Sequence, residues 1–264
     1  MDIATIAGFI IAFGSITLSV IIEGGSFSHY LSLPAFVLVL GGTTGAVVIN
    51  TTVDQLKMVP KIVRKAFFAP KDNPVKVIDQ IVRLAEKARR EGLLSLEAEL
   101  EGVDDLFMKR GVQLVVDAVD PELVRAILEN DLEIMEARHK LGENFFIGLG
   151  GFAPTLGILG TVMGLVHMLA NLEDPSGVSQ AIAGAFIATL YGVGVANLVF
   201  LPIAGKLGVR SKEEAQIKTM IMEGILSIQA GDNPRIIEEK LKVFLPPTLR
   251  LAYETQKEKE RVSA

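Results

Sequence analysis

The 264-residue sequence contains no cysteine and no tryptophan. Without cysteine there is no disulfide framework, no thiolate nucleophile and no cysteine zinc site. Only three histidines are present, and they lie far apart. His29 falls in a short connection, His139 in the charged run Arg138-His139-Lys140, and His167 near the end of an apolar stretch, so they form no metal-ligand spacing. A G-x-x-x-x-G-K phosphate loop is missing too. More telling is where charge is missing. Residues 3–22, 24–53, 144–172 and 175–205 hold no Asp, Glu, Lys or Arg.

Half of the residues are hydrophobic and the mean hydropathy is +0.42. Each uncharged stretch holds about 20 apolar residues, enough to cross roughly 30 Å of hydrocarbon. This predicts an all-α membrane protein with four transmembrane helices near 3–22, 32–52, 146–170 and 179–205. The first does not read as a secretory leader, because no basic residue precedes it. All 26 Lys and Arg fall in residues 53–143, which carry 15, and 206–264, which carry 11. The positive-inside rule puts both segments, and both termini, in the cytoplasm. Four regions follow: 1–52 with the two outer spans, a cytoplasmic helical domain at 53–143, spans three and four at 144–205, and a cytoplasmic helical tail at 206–264. The cytoplasmic bases face 27 acids, so nucleic-acid binding has no support.

The cytoplasmic segments are patterned as helices. Asn73-Pro74 is a start signal, and Val77, Ile81, Leu84 and Ala88 recur at helical spacing. Gly92 breaks that run, and a second helical run follows from about Ser95. Asp120-Pro121 opens a helix expected to continue into the third span. After the fourth span, Ser211 with Glu214 reads as a capping box opening a new helix. Gly231 stops it, Asn233-Pro234 restarts one, Pro246-Pro247 ends that, and the tail ETQKEKERVSA reads as frayed.

The apolar stretch at 151–166, GFAPTLGILGTVMGLV, has a proline, four glycines and two threonines. On a helix, Pro154, Gly157, Thr161 and Gly164 form one stripe, and Ala185, Thr189, Gly192 and Ala196 form another. Small residues let helices approach closely in lipid, which marks Gly157, Gly164, Ala185 and Gly192 as packing surface for a partner helix. Thr161 precedes the outer loop at Leu172 by 11 residues, and Thr189 follows its end at Val178 by 11. At about 1.5 Å per residue both hydroxyls lie roughly 16 Å deep, facing each other. Pro154 has no N–H to donate, which frees a carbonyl one turn back, near Gly150. These oxygens suit either a hydrated cation path or a packed polar contact. No span holds an interior ionisable group, so work on an ion gradient requires a carboxylate from a second chain.

The segments PTLGILGTVMGLV, FIATLYGVGVANLVFLPIAGKL and ARREGLLSLE, in this order on four spans, resemble the A subunit of the bacterial flagellar stator, the MotA/PomA family. The resemblance implies a non-enzymatic motor subunit of the inner membrane with no bound cofactor. It implies a homopentamer around B subunits whose single transmembrane helix bears an essential Asp, and torque delivered to the rotor protein FliG. The family's pathway threonines fall on Thr161 and Thr189, with Pro154 and Tyr191 beside them. Its functional prolines fall on Pro154 and Pro202, and its rotor-contact charges on Arg89, Arg90 and Glu97. Read without the resemblance, Arg89 and Glu97 are ordinary solvated charges. ATLYG with both threonines looks more like the sodium-driven branch than the proton-driven one. An ExbB/TolQ-type energiser shares the last two spans but has three in all. A secondary transporter would carry internal repeats or midplane charge. A passive scaffold would need no Asp-bearing partner.

Overall fold

The computed structural model describes residues 3–68, 73–173 and 175–263, and these are helical with no strand among them. Two compact units emerge, Met1–Ala69 with Arg138–Arg210, and Pro70–Ala137 with Ser211–Ala264. Helix α6, Pro121–Ala170, and the long helix α7, 175–229, contribute residues to both.

The first unit holds α1, Ile3–Ile22, α2, Leu33–Ile49, α3, Val53–Phe68, and the apolar parts of α6 and α7. Among the described residues, three helices are long and apolar enough to cross a membrane: Ile3–Ile22, Pro121–Ala170 and Gly177–Gln229. The fourth expected span, 32–52, is the shorter apolar helix Leu33–Ile49. In α1 only Val20 is buried. Ile10, Ile11 and Ile22 stand exposed, which water would penalise and hydrocarbon would not. Val47, Phe146, Leu149, Ala204 and Leu207 form one buried cluster, and Val39, Ala153 and Ala196 another.

Two π turns interrupt the helices of this unit, Val37–Gly41 in α2 and Ala196–Phe200 in α7. The second has a visible cause. Pro202 lacks an N–H, and its ring would press on the carbonyl four residues back, at Leu198. One wide turn just before it relieves that conflict.

The second unit is built around the buried face of α4, Pro74–Glu91: Ile78, Ile81, Leu84 and Ala85. Asn73 caps this helix by accepting the Val75 N–H. The face packs with Leu96, with Met108 of α5, Leu106–Val116, with Leu128 of α6, and with Ile221 and Ile225 of α7. Ile237 and Leu241 of α8, Pro234–Lys242, complete the core. Gly111 leaves room for the Ile225 side chain there: a Cβ on it would sit 2.4 Å from Cδ1 of Ile225, so that side chain would have to shift.

Several local expectations are corrected. The helical run expected from about Ser95 is present as a 3-10 helix that starts two residues earlier, Leu93–Gly102. Ser211 caps nothing, because α7 is helical without a break from Leu201 to Gln229. Polarity rises there, but the backbone ladder runs on through it. The C-terminal segment is helical as α9, Pro247–Ser263. Its Tyr253 hydroxyl donates to Asp79, and Lys257 reaches the same carboxylate at 3.0 Å. Gly231, at φ +75°, does end α7.

Candidate functional site

The apolar parts of α6 and α7 approach so closely that several glycines along their seam have no room for a side chain. A Cβ on Gly157 would lie 2.9 Å from the Ala188 carbonyl oxygen and 3.2 Å from the Gly192 Cα. One on Gly164 would lie 2.8 Å from the Ala185 Cβ. One on Gly160 would lie 2.5 Å from the Ala188 Cβ. The small residues expected to receive a partner helix are therefore occupied by the chain's own neighbouring helix. Gly157, Gly164, Ala185 and Gly192 form an intramolecular seam. Gly160 and Ala188 belong to it too; they are small and lie at helical spacing, which is the signal that would have found them.

Close approach brings Thr161 and Thr189 together. Their hydroxyls are hydrogen-bonded to each other, both half-buried. Thr161 Oγ1 also lies 3.2 Å from the Gly157 carbonyl on its own helix and 3.1 Å from the Ala185 carbonyl across the seam. Thr189 Oγ1 lies 3.5 Å from the Gly157 carbonyl. Each hydroxyl has one proton to donate and two lone pairs. Two protons thus serve four oxygens, and lone pairs are in surplus. Such a cluster offers hard oxygen ligands to a small cation, or relays hydrogen bonds. The main-chain oxygens of Gly157 and Ala185 were not legible as members, because no side chain announces them.

Pro154 sits inside α6, half-buried, one residue from the wholly buried Ala153, whose carbonyl oxygen faces Gly192. Pro202 is exposed beside the π turn of α7. It helps line a cleft of about 520 Å³ against Gly8 and Ala12 of α1.

Tyr191 is separated from the threonine pair. Two residues beyond Thr189, it points roughly 200° around the helix. Its hydroxyl donates to the Tyr30 carbonyl at 2.6 Å and accepts the Ser32 N–H at 3.2 Å. It thus latches the α1–α2 connection to α7.

In the second unit, Arg89 and Arg90 end α4, and Glu97 stands on the 3-10 helix. All three are exposed. Arg90 reaches Glu86 at 3.6 Å. Among the described residues neither Arg89 nor Glu97 has a hydrogen-bond or ion-pair partner. Glu99 differs: Lys87 at 2.7 Å and Arg83 at 3.9 Å brace it. The Lys87 hydrogen bond, then its charge, holds the Glu99 carboxyl below the usual range.

Comparison with known proteins gives a consistent result. Residues 99–220 match the MotA/TolQ/ExbB proton channel family, and residues 6–92 match the Motility protein A N-terminal family. The chain is 42% identical over 247 residues to motility protein A of Borreliella burgdorferi, covering 94% of this chain and 95% of the relative. It is 39% identical over 245 residues to the chemotaxis protein PomA of Vibrio alginolyticus, covering 93% and 96%. The flagellar MotAB stator complex from Bacillus subtilis contains a chain of similar fold, with TM-score 0.88 and 37% identity over 94% of this chain and 98% of that one. A C. jejuni MotAB structure gives TM-score 0.89 and 32% identity, covering 94% and 97%.

Proposed function

This chain belongs to the MotA/TolQ/ExbB proton channel family and to its motility protein A branch, and on that premise we propose that it is the A subunit of a flagellar stator. It sits in the bacterial inner membrane with α1, α2 and the apolar parts of α6 and α7 as four spans, and both termini in the cytoplasm. It is not an enzyme. Five copies surround two B subunits, each with a single transmembrane helix that carries an Asp, and ion passage at that Asp turns the ring against FliG.

The observation that carries this reading is the hydroxyl pair of Thr161 and Thr189, half-buried at a seam that contains no ionisable side chain. One charge moving through 100 mV releases about 2.3 kcal/mol. An ion that shed its water against a wholly apolar wall would meet a barrier well above that. The threonine and carbonyl oxygens replace part of the lost hydration, and the carboxylate comes from the partner. Since the glycine seam is filled, the partner helix meets the open side of this helix pair, where Thr161 and Thr189 are still half-exposed.

Sodium is favoured modestly over the proton, because the cluster offers neutral oxygens and no titratable group. The defects at Pro154 and Pro202 are the places where α6 and α7 flex as the ion passes. The unpartnered charges of Arg89 and Glu97, with Arg90, are the rotor contact. Swimming speed of cells carrying this chain and its B subunit, measured across a sodium series at fixed pH, tests the reading. Speed should rise with sodium; speed that ignores sodium assigns the proton, and cells without motility under any condition contradict the stator role.

A further inference from the structure

Leu94 is 75% exposed, in the middle of the segment that carries the unpartnered charges. We propose that Leu94 is the apolar anchor of the rotor contact: it inserts into an apolar recess on the rotor face while Arg89, Arg90 and Glu97 set the register around it. This rests on the reading of those charges as a rotor contact, and it assigns the contact a residue and a chemistry that charge alone does not supply.

The mount is rigid. Gly92 turns the chain at φ +86°, outside the range that L side chains favour. The Ser95 hydroxyl and N–H both donate to the Gly92 carbonyl, at 2.7 and 3.2 Å. Leu93 packs on the core, and Leu96 and Leu100 are buried in it. Glu99 is tied back to α4 by Lys87 and Arg83. A 3-10 helix eclipses residues three apart, so with Leu93 and Leu96 turned inward, Leu94 and Glu97 share the outward face. An apolar side chain is thus held out, with exposed basic residues before it in the chain and an exposed acid after it. Exposed charges steer an encounter and fix its register but add little holding energy in water. A preorganised leucine supplies the burial that holds it and gives up little entropy on docking. The complementary partner surface carries an acid opposite Arg89 and Arg90, a base opposite Glu97, and a recess between them.

The test uses the full chain co-expressed with its B subunit in motile cells, with a photo-crosslinking amino acid at position 94 in one arm. Crosslinks to FliG are expected from position 94. Leu94→Asn is expected to weaken that contact roughly tenfold or more, from the loss of a buried leucine. Torque should fall while membrane level, assembly with B and ion flux hold, and Leu94→Met should restore it. If Leu94→Asn cells swim normally while Arg89→Glu and Glu97→Lys cells do not, the anchor is wrong and the charged contact stands. If all three swim normally and no FliG crosslink forms, the rotor-contact reading falls with it. Should Leu94→Asn lower the protein level, the Leu94→Ala variant and the crosslink decide the question.

Discussion

Gly192 of α7 lies so close to Gly157 of α6 that a Cβ added to it would be 3.0 Å from the Gly157 Cα and 2.5 Å from the Ala153 carbonyl oxygen. Both obstacles are backbone, so no rotamer change relieves them. Gly192→Ala is therefore expected to push the helices apart and destabilise the chain by about 1–3 kcal/mol. Gly194→Ala, two residues on, meets nothing within 4 Å and gains helix propensity of up to about 1 kcal/mol. Thermal unfolding of the purified full chain should show a lower midpoint for the first and an equal or higher one for the second.

Tyr191→Phe removes a hydroxyl that both accepts from Ser32 and donates to Tyr30. The expected cost is about 0.5–1.5 kcal/mol per bond, read as easier proteolysis of the α1–α2 connection. Ion flux per assembled complex should not change, because the hydroxyl faces away from Thr161 and Thr189. A loss of flux with an intact connection would return Tyr191 to the pathway.

Much of this was legible in the sequence, for physical reasons that differ from residue to residue. The matched depth of Thr161 and Thr189 follows from the fixed rise of a helix, so counting to the outer loop was enough. The small stripes foretold a close approach, but a glycine does not say whose helix it will meet, and here it meets its own chain's. The Ser211-x-x-Glu214 pattern signals a cap only where a helix begins, and the pattern alone cannot tell a beginning from a middle. Helical spacing after Gly92 marked Leu93–Gly102 as a helix, but spacing alone does not say that it winds as a 3-10 helix. Tyr191 sits in the same five-residue motif as Thr189 but on the other side of the helix, which adjacency in sequence conceals.

The depressed carboxylates of the second unit set a pH dependence. The Lys87 hydrogen bond lowers Glu99, the Lys240 hydrogen bond lowers Asp232, and the Arg250 hydrogen bond lowers Glu254. A carboxylate whose folded pKa is depressed contributes stability above its unfolded pKa, about 4, and loses it as pH falls through the folded value. The melting midpoint should hold near neutral pH and fall below about pH 4. Lys87→Met should lessen the Glu99 share of that fall. Lys242 works in the opposite sense. Burial alone would lower its ammonium, but Glu239 and Glu254 outweigh this and raise it, so its share is present below about pH 10.4 and is lost only above that.

Gly92→Ala keeps the length of the turn but forces a side chain into a positive φ. The expected cost is about 1–2 kcal/mol, with the 3-10 segment loosened. Hydrogen exchange at the amides of residues 93–102 should quicken while exchange in α4 stays slow. Unchanged exchange would mean that the turn tolerates alanine.

The central claim is that the oxygens around Thr161 and Thr189 carry the ion. Thr161→Val and Thr189→Val preserve shape and remove the hydroxyls, and an interhelical bond of this kind adds only about 0.6 kcal/mol to packing in lipid, so assembly should survive. The most direct measurement is sodium and proton flux through vesicles holding the full A–B complex, driven by a potential of about 100 mV, with wild type and the double valine variant at equal protein density. Cation flux in the wild type that drops at least tenfold in the double variant is the expected result. Equal flux from the two, with complexes of the same size, would contradict the account and leave the threonine pair as a packing contact.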